Sequence, residues 1–224
     1  MTVYEKTMAI KLIIFDFDGT LGDTRRHIVT TMQAAIQELG LPEHTEEAYI
    51  ATIGLPLAGC FETLYPDESQ EMRDRYVETY RRIFAENLKR FKPQAFPQVK
   101  ETMAALREKG LTLTIASSRS HASLVELTKD MQIAESVSYL IGADDVKNAK
   151  PHPEPVLNTL AATHFEADET LVVGDMPVDI MMGAHAGART CGVTWGNGSR
   201  QELEAAGADY VIDRMEDVWE AVSA

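Results

Sequence analysis

Pairs of aspartates occur at two places in the chain, each directly after a short apolar run. Asp16 and Asp18 form the first pair, and Asp175 and Asp179 form the second. Carboxylates that converge on one crevice repel one another unless a cation lies between them, and oxygen-only ligation favours Mg²⁺. The two pairs therefore predict a magnesium site.

Other residues have the chemistry that a phosphate group requires. Ser117 and Ser118 offer hydroxyl and backbone N–H groups, Lys150 offers an ammonium, and Gly19 allows the backbone to approach a bound group closely. Each has a plain structural interpretation when taken alone: a helix cap for the serines and Asp179, a turn, or a surface lysine. Their order along the chain, at the same end of predicted strands, favours a functional site instead.

Short apolar runs and the helical patterns between them predict the framework that positions these groups. Such runs cover residues 10–15, 111–116, 136–141, 170–173 and 210–212. Helical patterns cover residues 99–109, 122–131, 153–164 and 178–186. The alternation predicts βαβ units on a parallel sheet, and such sheets bind ligands at the carboxyl ends of their strands.

The stretch from Thr24 to Phe91 interrupts this alternation. It contains helical patterns over residues 26–39, 46–53, 57–64 and 69–88, and no pattern typical of a strand. We therefore expect a helical cap domain over residues 23–93, inserted into a core domain formed by residues 1–22 and 94–224. The expected return hinge, residues 91–97, holds two prolines, which disfavour continued helix.

Charge and composition narrow the classes of partner. The chain has 224 residues, with 21 Lys and Arg against 35 Asp and Glu, which gives a net charge of −14. This balance argues against binding to nucleic acid or to an anionic membrane surface, both of which need basic stripes. No apolar run reaches membrane-spanning length, and no signal peptide is evident. We expect a cytoplasmic protein, monomeric or homodimeric, that binds a small metabolite.

The ordered motifs resemble a known family. Asp16-x-Asp18-Gly19-Thr20, Ser117, Lys150 followed by prolines, and Gly174-Asp175-x-x-x-Asp179 are similar to the four motifs of the haloacid dehalogenase-like superfamily. The helical insert resembles the C1 cap of subfamily I, and residues 192–212 resemble the phosphoglycolate phosphatase branch. The resemblance implies an α/β fold: a Rossmann-like three-layer core around a parallel sheet, with an inserted α-helical cap. Ser118-Arg119 departs from the family's frequent Asn-Lys pair.

The resemblance also implies a mechanism on a small phosphorylated metabolite. Asp16 would attack phosphorus and form an aspartyl-phosphate, and Asp18 would serve as general acid and then as general base. Mg²⁺ would be held by Asp16, the Asp18 carbonyl and Asp175, with Asp179 acting through water or Lys150. The phosphoryl group would be bound by Gly19, Ser117, Ser118 and Lys150.

Substrate selection would then lie in the cap. The loop Gly54-Leu55-Pro56-Leu57 resembles one that contacts substrate in related phosphatases, but it also fits a plain turn between helices. One of the basic residues Arg25, Arg26 and His27 meets an anionic leaving group, or they form a solvated first turn of a helix.

Two other functions stay open. A phosphosugar mutase resembling β-phosphoglucomutase would return the phosphoryl group to a sugar. A non-enzymatic phospho-acceptor resembling a bacterial receiver domain would also combine aspartates, a hydroxyl and a lysine. The helical insert and the position of Asp18 two residues after Asp16 argue against the receiver.

Overall fold

A six-stranded parallel sheet lies at the centre of the protein, whose computed structural model describes residues 10–90 and 92–223. The strands, in chain order, are β1 (Leu12–Phe15), β2 (Gly22–Asp23), β3 (Gln94–Ala95), β4 (Thr112–Ala116), β5 (Tyr139–Ile141), β6 (Thr170–Gly174), β7 (Arg189–Val193) and β8 (Tyr210–Ile212). The main sheet has the order β5-β4-β1-β6-β7-β8, and β2 and β3 form a separate two-stranded ribbon. This order places β1, which precedes the first aspartate pair, between β4 and β6.

Helices cover both faces of the main sheet and also form a separate group beside it. They are α1 (Arg25–Leu39), α2 (Glu46–Ile50), α3 (Leu57–Leu64), α4 (Gln70–Arg90), α5 (Val99–Glu108), α6 (His121–Asp130), α7 (Glu154–Thr163), α8 (Pro177–His185), α9 (Arg200–Ala205) and α10 (Val218–Ser223). None of the helices in the described ranges is long and apolar enough to span a membrane.

Alternate residues of β1 pack into different apolar clusters. Leu12 and Ile14 belong to a cluster with Val156 of α7 and Met182 of α8. Ile13 and Phe15 belong to a larger cluster that includes residues of α5, α6 and α10. Because a strand covered on both faces has no solvent side, its sequence is a continuous apolar run. The predicted three-layer α/β core is confirmed.

Helices α1 to α4 follow one another between β2 and β3, as the sequence predicts for the insert. Their buried side chains, among them those of Tyr49, Phe61 and Tyr76, belong to the same apolar cluster as Ile13 and Phe15 of β1. The chain enters and leaves this region through the antiparallel ribbon, where Gly22 faces Ala95 and Asp23 faces Gln94. Of the expected hinge, Phe91 lies outside the described residues, as do residues 1–9 and Ala224 of the expected core domain.

Strand β7 and the ribbon are absent from the sequence-based prediction. Arg189 opens β7 and Gly192 interrupts it, so its five residues do not form an apolar run. Gly192 lies where α9 approaches the sheet, and a Cβ atom there would make a tight contact of 3.0 Å with the side chain of Leu203. The ribbon strands have two residues each, too few to show a period. Helix α2 is also shorter than its predicted pattern, because residues after Ile50 form turns.

Candidate active site

Polar residues from three adjacent strands meet at the carboxyl edge of the sheet. Asp16 directly follows β1, Ser117 follows β4, and Asp175 follows β6. Because these strands are parallel neighbours, their carboxyl ends lie side by side. Lys150 reaches the same place from the loop after β5, and Asp179 from the first turn of α8. The structure therefore brings these predicted residues together.

Lys150 lies between two carboxylates. Its Nζ is 2.5 Å from Asp16 Oδ1 and 2.7 Å from Asp179 Oδ1. The three side chains are almost inaccessible, with exposed fractions of 2% for Lys150, 6% for Asp16 and 2% for Asp179. Burial lowers the pKa of Lys150, but the charges of the two aspartates outweigh this effect and raise it above its ordinary value. The lysine is therefore a cation that partly neutralises the site.

Asp179 has a structural task in addition to its contact with Lys150. Pro177 is the first residue of α8, and Asp179 Oδ2 accepts a hydrogen bond from the backbone N–H of Met176 at 3.0 Å. This contact fixes the start of the helix. The other carboxylate oxygen, Oδ1, contacts Lys150. One oxygen of Asp179 therefore caps the helix, and the other belongs to the candidate site.

Asp175 is held by a dense set of donors. Its Oδ2 accepts from the backbone N–H of Asn197 at 2.7 Å and from Asn197 Nδ2 at 2.9 Å. Thr20 Oγ1 donates to Asp175 Oδ1 at 3.2 Å. Gly19 passes so close that a Cβ atom would lie 2.2 Å from Asp175 Oδ2, and its φ of +84° is one that side chains disfavour. Glycine is therefore required at this position.

Asp16, Asp175 and Asp179 form a buried group that we term the carboxylate cluster, with one oxygen from each within 4.8 Å of the others. Burial raises the pKa of Asp16 well above its ordinary value, against the opposing effect of Lys150, and the other aspartates raise it further. Burial and Asp179 raise the pKa of Asp175 to about 7, although Asn197 opposes the shift. Such carboxyl oxygens fit a hard divalent cation such as Mg²⁺, which would favour their ionised form.

Asp18 lies apart from this cluster and pairs with Arg119. Arg119 Nε is 2.8 Å from Asp18 Oδ1 and 2.7 Å from Oδ2, and Thr24 Oγ1 donates to Oδ1 at 2.6 Å. The guanidinium also lies over the ring of Phe84 in α4, 4.8 Å from its centroid. The Asp18 carboxylate is thus oriented by residues from both the sheet edge and the insert.

The two predicted serines have different surroundings. Ser117 is buried, and its Oγ accepts from the backbone N–H of Arg119 at 3.3 Å. Ser118 Oγ instead donates to the carbonyl oxygen of Gly54 in the insert, at 2.6 Å. Phosphate binding by either serine stays a prediction, and Ser118 links the sheet edge to the insert.

A cavity of about 480 Å³ opens between the sheet edge and the insert. Asp16, Asp18 and Ser117 lie in its wall on the core side, and the loop from Gly54 to Leu57 lies in its wall on the opposite side. Arg25 has another task, because its Nε donates to Asn197 Oδ1 at 2.8 Å and its Nη2 to the Gly196 carbonyl. Arg26 is exposed.

Four residues with evident roles were not predicted as site residues: Thr20, Thr24, Arg119 and Asn197. Arg119 stands out in the sequence only as a departure from the family pattern. Asn197 lies between two glycines after β7. It therefore follows the carboxyl end of a parallel strand, which is the feature that predicted the positions of the aspartates. That signal was missed because β7 itself was not predicted.

Comparison with known proteins gives consistent matches along the chain. The family model described as haloacid dehalogenase-like hydrolase matches residues 13–193. Pyrophosphatase PpaX of Anoxybacillus flavithermus is 34% identical, over 94% of this chain and 96% of that protein. A phosphoglycolate phosphatase of Aquifex aeolicus is 30% identical, over 93% and 95%. A haloacid dehalogenase-like family hydrolase of Streptococcus pneumoniae has a similar fold, with a TM-score of 0.83, 23% identity and coverage of 95% and 98%.

Proposed function

The chain belongs to the haloacid dehalogenase-like hydrolases, and on this premise we propose that it is a Mg²⁺-dependent phosphatase of the phosphoglycolate phosphatase type. It hydrolyses a small organic phosphate monoester through an aspartyl-phosphate on Asp16. The observation that carries the proposal is the carboxylate cluster with Lys150, whose member Asp16 lies in the wall of a cavity of about 480 Å³.

Mg²⁺ would be held by Asp16, the Asp18 carbonyl and Asp175, with Asp179 assisting through water or through Lys150. Bound there, it offsets the negative charge of the nucleophile and the phosphate as they approach each other. The raised pKa values of Asp16 and Asp175 support this assignment, since carboxyl groups that resist ionisation indicate a site short of positive charge. Ser117, Ser118, Lys150 and the backbone at Gly19 bind the phosphoryl oxygens as charge develops on them.

The chain's own acids and bases carry both chemical steps. An oxygen of Asp16 attacks phosphorus, the ester P–O bond breaks, and Asp18 gives its proton to the departing oxygen. Asp18 then takes a proton from water, and that water attacks the phosphorus of the aspartyl-phosphate. Inorganic phosphate leaves and the Asp16 carboxylate is restored. The contacts of Asp18 with Thr24 and Arg119 support its role, because they fix the direction in which its carboxyl group points.

The helical insert acts as a cap domain, residues 23–93, over a core domain of residues 1–22 and 94–224. It closes the cavity and excludes water while the phosphoryl group is transferred. The protein acts on a small phosphorylated metabolite in the cytoplasm, as a monomer or homodimer, and requires neither nucleic acid nor a membrane.

Phosphate release from a panel of phosphorylated metabolites tests this function, with and without Mg²⁺. We expect EDTA to abolish turnover, Mg²⁺ to restore it, and Asp16→Asn, which keeps the side chain's shape, to remove it. If metal-free protein is fully active, or if Asp16→Asn retains more than about a hundredth of the wild-type kcat, the proposal is wrong. Conversion of glucose 1-phosphate to an isomer, without release of phosphate, would identify a mutase instead.

A further inference from the structure

Apolar side chains dominate the insert side of the cavity. Helices α1, α3 and α4 line it with Ile28, Met32, Leu57, Val77, Phe84 and Leu88. A phosphoryl group at Asp16 occupies only the floor of the 480 Å³ space, so the rest is available to the group that leaves. A largely apolar leaving group would bind best there, because burying its apolar surface against these side chains stabilises the complex.

The charged residues that line the cavity give an anionic leaving group little compensation. Arg81 and Arg119 are the cationic residues in its described wall, against Asp16, Asp18, Glu126 and Asp144. Arg119 is already paired with Asp18, and Arg81 is exposed. Exposed salt bridges contribute little, so a second anionic group on the substrate would exchange water for a mostly apolar wall with little compensating positive charge, which is unfavourable.

Arg119 still offers one donor to a ligand. Its side chain is only 10% exposed, its Nε contacts Asp18, and its Nη1 is 3.4 Å from Ser123 Oγ. Its Nη2 is buried and has no hydrogen-bond partner. An unpaired buried donor is costly, and an acceptor oxygen on the substrate would satisfy it.

We propose that the preferred substrate is a phosphate monoester of an uncharged, largely apolar alcohol or phenol, with an oxygen, on the phosphoryl group or on the alcohol, that accepts a hydrogen bond from Arg119. The inference rests on the proposed function and names its substrate class. It disfavours phosphoglycolate and pyrophosphate, whose leaving groups are anions, so the likeness to the phosphoglycolate phosphatase type would extend to the fold and the mechanism but not to the substrate.

Two non-hydrolysable phosphonates test the inference by binding alone. Benzylphosphonate carries an uncharged ring and 3-phosphonopropionate a carboxylate, and in each a CH₂ replaces the ester oxygen. We expect calorimetry in Mg²⁺ to give benzylphosphonate a Kd at least tenfold lower than that of 3-phosphonopropionate. Equal affinities, or tighter binding of 3-phosphonopropionate, would overturn the inference.

A matched pair of variants locates the cause. Leu57→Lys adds a cation to the cavity wall and should reduce the affinity ratio at least fivefold. Leu157→Lys makes the same change on the outer surface, where Leu157 is 47% exposed, and should leave the ratio unchanged. An unchanged ratio in Leu57→Lys would overturn the inference.

Turnover separates the inference from the proposed function. Phenyl phosphate should be hydrolysed with a kcat/KM at least tenfold above that for phosphoglycolate. Tighter binding of benzylphosphonate without turnover of either ester supports the inference and contradicts the phosphatase activity. Turnover of both esters with a preference for phosphoglycolate supports the phosphatase activity and contradicts the inferred substrate class.

Discussion

Replacement of Lys150 by methionine removes the cation between two buried carboxylates and keeps a side chain of similar length. Its Nζ is 2.5 Å from Asp16 and 2.7 Å from Asp179. Removing one partner of a buried ion pair costs about 3–5 kcal/mol, because the remaining charge stays in a poorly solvated place. We expect Lys150→Met to lower the free energy of unfolding by about that amount at pH 8 in metal-free buffer.

Proton uptake limits the loss and gives it a pH dependence. Without the lysine, burial and mutual repulsion hold the pKa of Asp16 even further above its unfolded value. A carboxyl group of this kind binds more protons in the native state than in the unfolded state, so the free energy of unfolding rises as the pH falls. The deficit of Lys150→Met relative to wild type should therefore be smaller at pH 5 than at pH 8. Mg²⁺ should also reduce it, because the ion replaces positive charge that only the variant lacks and so stabilises the native state of the variant more than that of wild type.

Urea unfolding followed by tryptophan fluorescence measures these effects, with a surface lysine as control. Lys11 contacts Glu169, but its side chain is 56% exposed, so Lys11→Met should cost less than about 1 kcal/mol. If Lys150→Met is also within about 1 kcal/mol of wild type at pH 8 without metal, the reasoning about the buried cation is refuted.

Three further experiments test other parts of the site. Because the pKa of Asp175 is raised to about 7, the free energy of unfolding of the metal-free protein should decrease as the pH rises from about 4 to about 7. Saturating Mg²⁺ should remove this dependence in urea unfolding, and an increase in the free energy of unfolding with pH would contradict the reasoning. Asp18→Asn should give a burst of nitrophenolate from p-nitrophenyl phosphate, approaching one equivalent per site, then very slow turnover, and no burst with an alkyl phosphate; equal slowing of both substrates at saturating Mg²⁺ would remove Asp18 from its acid–base role. Gly19→Ala should abolish phosphatase activity and weaken Mg²⁺ binding in titrations. Gly40→Ala, at a φ of +69° with open space around it, should lower the free energy of unfolding by about 1 kcal/mol and leave activity unchanged. Similar activities of the two variants would contradict the argument that Gly19 must approach Asp175 closely.

The elements that carry the aspartates could be predicted because burial leaves a strong pattern in them. All four residues of β1 and all five of β6 are buried, and their sequences accordingly contain the apolar runs at residues 12–15 and 171–173. Parallel pairing then decides that Asp16 and Asp175 lie at one edge. Strand β7 is buried almost as deeply, but Arg189 and Gly192 break its apolar run, and the side chain of Thr190 donates to Asp209 Oδ2 at 3.0 Å. A polar residue with a partner elsewhere in the chain hides such a strand from pattern analysis.

The partners of the site residues were harder to predict because they come from distant parts of the chain. Arg119 and Asp18 are separated by 101 positions, and Asn197 and Asp175 by 22. No local spacing records such a pairing. It depends on the order β4-β1-β6-β7 in the sheet, which brings the loops after these strands together. The motifs therefore predict the charged residues of the site, whereas the order of the strands determines which residues form hydrogen bonds and ion pairs with them.

The ribbon formed by β2 and β3 has a consequence for how this architecture can change. Both crossings of the chain are paired with each other, Gly22 with Ala95 and Asp23 with Gln94, so the ends of the helical region are fixed side by side. Lengthening a segment whose ends are already joined adds little entropic cost, about 0.6 kcal/mol for each doubling of its length. A different polypeptide grafted between the two strands would thus leave β1 and its aspartates in register. Under the proposed function, the surface that selects the substrate would thus be exchangeable as a module, and the groups that cleave the phosphate ester would stay unchanged.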